Sequence, residues 1–65
     1  MLKREEKNVY SRVNMESVRI HRSEGKEAAY EYVDGVIKQL ELDLKVSRDL
    51  LLKLTRLRNL YDWFY

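Results

Sequence analysis

The sequence contains no cysteine, no proline, two glycines and a single histidine. Each scarcity excludes something. Without cysteine there is no disulfide framework, no thiolate metal site and no cysteine nucleophile, and a reducing cytoplasm is the compatible address. With His21 as the one histidine, neither a histidine-based triad nor a zinc site of ordinary ligand spacing fits within one chain. Gly25 and Gly35 are too few for a phosphate-cradling loop, and the usual punctuation of turns is thin. Long apolar runs are missing as well. The aliphatic run Leu50-Leu51-Leu52 is far too short to span a bilayer, and the Lys3-Arg4-Glu5-Glu6 start lacks the apolar stretch of a signal peptide. These absences lead to the expectation of a soluble, cytoplasmic, non-enzymatic chain with no cofactor, no metal and no membrane partner.

What is present is charge and apolar surface in helical proportions. Of the 65 residues 45% are hydrophobic, while the charged fraction of 37% is well above the usual quarter. That balance suits a single helical domain whose helices carry one apolar stripe and a solvated back. A chain this short buries only about 60% of the surface it exposes when unfolded. Regular helix packing or self-association must then supply the stability that disulfides or a metal give other small chains.

The net charge of +2 is unevenly distributed. Residues 1–26 carry seven Lys or Arg against four Asp or Glu, residues 27–44 one against five, and residues 45–65 five against two. An acidic middle thus lies between two basic ends, which either neutralise it within one folded unit or face an anionic partner.

Periodicity divides the chain into three. Residues 8–22 are ambiguous. Val9, Val13 and Met15 fall on odd positions and Val18 and Ile20 on even ones, as in two short strands, yet Val9, Val13 and Ile20 also fit a helical stripe. Glycine is absent between residues 14 and 17, so a tight hairpin is poorly supported, and a short helix or irregular arm over 1–22 is expected. Ser23-Glu24 then reads as a helix start, with Ser23 as N-cap. From there Ala29, Tyr30, Val33, Val36, Ile37, Leu40 and Leu44 gather on one side of a helical wheel, predicting a helix over 24–44 with Asp34 and Lys38 paired on its far side. In the last third Leu50, Leu54, Leu57, Tyr61 and Phe64 step by four, three, four and three, predicting a helix over 48–64 capped by Ser47, with Val46 and Leu51 as a hydrophobic staple.

On a straight helix the second and third stripes would be offset by roughly 80°, so one continuous helix could not bury both on a flat surface. A reversal at 45–47 removes the conflict and sets acidic against basic segments. A supercoiled continuous helix is the alternative. The expected fold is therefore all-α: an antiparallel helical hairpin preceded by an arm. Since a two-helix hairpin buries too little to offset ordering costs of roughly 1.5 kcal/mol per residue, a homodimer forming a helical bundle is expected.

Two surfaces remain for a partner. Leu52 and Trp63 project from the back of the third helix, and Leu51, Leu60 and Tyr65 from its flanks. Leu52, Tyr61, Trp63 and Tyr65 are accordingly the expected protein-binding residues, in the helical-surface manner of a small inhibitor, antirepressor or adaptor. If residues 1–22 instead folded back, Val9, Tyr10, Val13 and Ile20 would cover part of this surface. Arg12, Arg19, Arg22 and Lys26, interleaved with Tyr10 and His21, form the candidate nucleic-acid surface and support the alternative of a small dimeric DNA-binding regulator. Val18-Arg19-Ile20-His21-Arg22 ahead of two helices distantly resembles the ribbon-helix-helix repressors, a likeness that implies a strand in the major groove. The long helix that follows and the absence of glycine between the helices depart from that pattern.

Overall fold

Residues 8–22, which the pattern of alternating valines left open, are helical throughout. The computed structural model describes residues 3–63, and they form three helices: α1 Arg4–Glu24, α2 Lys26–Glu41 and α3 Arg48–Trp63. The helical stripe prevails in α1 because Tyr10, Val13, Ser17 and Ile20 recur at three- and four-residue steps and all turn inward. Val9, Met15 and Val18, which gave the strand-like alternation, lie on the surface. The looser arm expected over 1–22 is thus replaced by the longest helix of the fold. Its signal was weak in the sequence because two of its buried positions, Glu6 and Ser17, are polar.

A single residue joins α1 to α2. Gly25 has φ 99° and ψ 174°, a conformation that L side chains rarely adopt, and its N–H donates to the His21 carbonyl at 3.1 Å. Ser23 therefore does not cap α2. It lies in the last turn of α1, where its hydroxyl donates to the carbonyls of Arg19 (3.1 Å) and Ile20 (3.4 Å). The break falls at Gly25 because it is the residue there that tolerates positive φ without strain.

The second reversal uses no glycine. Asp43 Oδ1 accepts the Lys45 N–H at 2.9 Å, the Val46 N–H bonds the Asp43 carbonyl at 3.2 Å, and Ser47 Oγ accepts the Leu50 N–H at 3.2 Å. Ser47 is thus the expected N-cap of α3. The turn formed by Asp43 ends α2 at Glu41, three residues short of the expected boundary, and leaves Leu44 fully exposed instead of in the apolar stripe.

The first end of α1 meets the start of α3 through Glu6 and Ser47, and its last turns meet the end of α3 through Ser17, His21 and Tyr61. The helices consequently run up, down and up. Val13 from α1, Ala29, Val33 and Ile37 from α2, and Leu50, Leu54, Leu57 and Tyr61 from α3 form one core. The second and third helices bury the predicted faces, and the hairpin between them is present. Phe64 lies outside the described residues. The acidic and basic segments do meet: Arg58 of α3 donates to Asp34 of α2 at 2.8 Å, and Lys38 lies 3.1 Å from the other Asp34 oxygen.

Candidate binding surfaces

Three helices around one core leave three outward faces, and each has its own chemistry. On α3 the outward residues follow from the buried line Leu50, Leu54, Leu57 and Tyr61: positions half a turn away are Leu52, Arg56, Asn59 and Trp63, with Leu60 beside them. Leu52 is 48% exposed, Leu60 54% and Trp63 78%. Leu52 and Trp63 are therefore where the sequence reading places them, and Leu60 joins the same surface. Arg56 lies within it, between Leu52 and Leu60, Lys53 borders it, and Asp49 is at its start.

Tyr61 belongs elsewhere. It is 4% exposed, seven residues from Leu54 and on the same side, and its ring lies 5.4 Å from that of His21. Ser17 donates its own proton to the Asn14 carbonyl at 2.8 Å, so the Tyr61 phenol, 2.8 Å away, donates to Ser17 Oγ. A residue proposed to meet a partner is instead a core residue joining α1 to α3. Tyr65 lies outside the described residues.

The basic candidates are divided by the fold. Arg12, Arg19 and Arg22 are exposed on α1, and Arg4 and Lys7 extend the same side toward its start. Lys26 begins α2 on the other side of Gly25 and is half-buried, in a notch lined by Glu27, Tyr30, Glu31, Tyr61 and Asp62. It does not continue the arginine surface. Arg19 pairs with Glu16 on the preceding turn, which holds the Glu16 carboxyl below its ordinary range and raises the guanidinium. Because residues 18–22 are helical, the strand implied by the likeness to ribbon-helix-helix repressors is not formed.

The acidic residues of α2 are partly used in holding the fold. Asp34 is held below the usual carboxylate range by its hydrogen bond from Arg58, then by that from Lys38, and Arg58 also lies over the Tyr30 ring at 5.4 Å. Glu27, Glu31 and Glu41 face solvent. Among the described residues no group of three or more His, Cys, Asp or Glu could hold a metal ion, and no helix is long and apolar enough to cross a membrane. One surface depression is lined by Asn14, Met15, Val18, Arg19, Arg22 and Ser23, all from a single helix, so it cannot enclose a substrate on opposing walls.

Comparison with protein-family models, with curated proteins and with solved structures finds no match for this chain.

Proposed function

We propose that the chain is a non-enzymatic protein-binding module that docks through the outward face of α3 into an apolar groove with an acidic rim. The observation that carries this reading is the line of Leu52, Leu60 and Trp63, large apolar side chains exposed at helical spacing on one face while the core is already closed by other residues. Aromatic and leucine anchors spaced along one helix are the usual contacts of helix-in-groove recognition, with the aromatic contributing disproportionately. Charge selects the partner: Arg56 lies among the apolar residues and Lys53 at their border, so acidic residues on the facing protein complement the face. A second copy would present the same two cations with Asp49 as the acidic residue to meet them, which is the weaker fit.

Photo-crosslinking in the native host tests the reading. A photoreactive residue at position 52 or 63 should capture the same protein, one at position 31 on α2 should not, and Leu60→Asp should abolish capture. With the captured protein purified, the emission of the sole tryptophan, Trp63, should shift to shorter wavelength on binding as water is excluded from the indole. Capture only of a second copy of the chain would replace the groove-bearing partner with self-association, and equal capture from α2 and α3 would remove the α3 face as the site.

A further inference from the structure

We propose that the outward face of α1 binds duplex DNA, with the helix lying in the major groove and its basic residues on the flanking phosphates. In the sequence these cations are mixed with Glu5, Glu6, Glu16 and Glu24; folding sorts them. At about 100° per residue, Arg4, Lys7, Arg12, Arg19 and Arg22 all fall within about 80° of the line through Arg4 and Arg22, directly opposite the buried Val13, and none of the four glutamates falls within that arc. Glu6 is drawn inward by the Ser47 N–H, and Glu16 is occupied with Arg19. Among the described residues Arg4, Lys7, Arg12 and Arg22 make no ion pair.

The layout across the face fits a groove better than a flat partner. Cations occupy both flanks, Lys7 on one side and Arg12 and Arg19 on the other, while Ser11, Met15 and Val18 run near the centre. A helix about 10–12 Å across fits the major groove of B-form DNA, where phosphates line both edges and the floor offers polar edges and thymine methyls to a hydroxyl and to small apolar groups. From Arg4 to Arg22 the row extends about 27 Å, long enough to follow several phosphates. An anionic membrane is less well matched, because the broad apolar side of α1, with Val13 and Ile20, is committed to the core.

Fluorescence anisotropy with a labelled duplex of about 20 base pairs, titrated through a salt series, tests the proposal. The logarithm of the association constant should fall linearly with the logarithm of salt concentration, with a slope of about −4 for four to five phosphate contacts. Arg12→Ala with Arg22→Ala should flatten that slope by about 2. Circular dichroism should show both substituted residues to be dispensable for the fold, since both are exposed. Trp63→Ala should leave the slope unchanged, which separates this surface from the α3 reading. Absence of binding at low salt, an unchanged slope in the arginine variant, or stronger binding to anionic vesicles or an acidic protein than to the duplex would overturn the proposal.

Discussion

The Tyr61 phenol donates a 2.8 Å hydrogen bond to Ser17 Oγ across the boundary between α3 and α1, linking positions 44 residues apart in a fully buried contact. This pair ties the first helix to the last, two helices that pack less closely with each other than either does with α2. Removing the phenol in Tyr61→Phe should lower unfolding stability by about 0.5–1.5 kcal/mol, the net contribution of one buried hydrogen bond. Ser17→Ala should be similarly costly, and the double variant should be less destabilised than the sum of the two. Chemical denaturation of all four proteins measures the coupling. Strict additivity would mean that the two hydroxyls act independently.

The two glycines should respond in opposite directions to alanine. At Gly25 nothing lies near the position of a Cβ, so the cost comes from φ 99° and ψ 174°, a region close to glycine-only. Gly25→Ala should destabilise by about 1–3 kcal/mol. At Gly35, within α2 and also with open space around a Cβ, the backbone is helical, and Gly35→Ala should stabilise by about 0.5–1 kcal/mol. Thermal unfolding of the two variants beside the wild type checks both signs.

Acid should weaken the fold through two carboxylates. The Ser47 N–H is the main cause holding Glu6 below its ordinary range, and the Arg58 hydrogen bond does the same for Asp34. A carboxyl group whose pKa is depressed on folding stabilises the native state fully above its unfolded value, and the contribution is lost as pH falls through the folded value. Stability should therefore decline as the pH drops from the ordinary carboxylate range downward. Glu6→Gln should be less stable than the wild type at neutral pH, and its stability should fall less steeply in acid. Denaturation midpoints across a pH series test this, with Glu5→Gln, on the exposed neighbour, as the control.

The sequence revealed some elements and hid others for physical reasons. Stripes made only of aliphatic residues, Val33 and Ile37 in α2 and Leu50, Leu54 and Leu57 in α3, were legible, as was the Ser47 cap. α1 was not, because its inward side includes Glu6 and Ser17, whose burial depends on Ser47 and Tyr61 more than forty positions away. The end of α2 was misplaced because Leu44 continued the apolar period, while the Asp43 side chain turned the backbone before it. Of the candidate surface, Leu52 and Trp63 could be placed from helical spacing alone. Tyr61 belonged to the core period and also stood beside Trp63 among the expected partner contacts, and its burial against Ser17 decides for the core. Sorting of the α1 cations from its glutamates required knowing that residues 4–24 are one helix.

Helix α1 contributes Val13 to the core shared with α2 and α3, so folding should need no second copy and should leave the α3 face to a partner. The expectation of a homodimer rested on a two-helix hairpin, and α1 supplies surface that the hairpin lacked, with Val13 buried and Tyr10 and Ile20 packed beside it. Thermal unfolding followed over a hundredfold range of protein concentration tests this most directly, because a fold that depends on association loses stability on dilution. One cooperative transition is expected, with a midpoint independent of concentration and a sedimenting mass of 7.9 kDa. A midpoint that rises steadily with concentration would contradict it, and would show that the core is completed between chains.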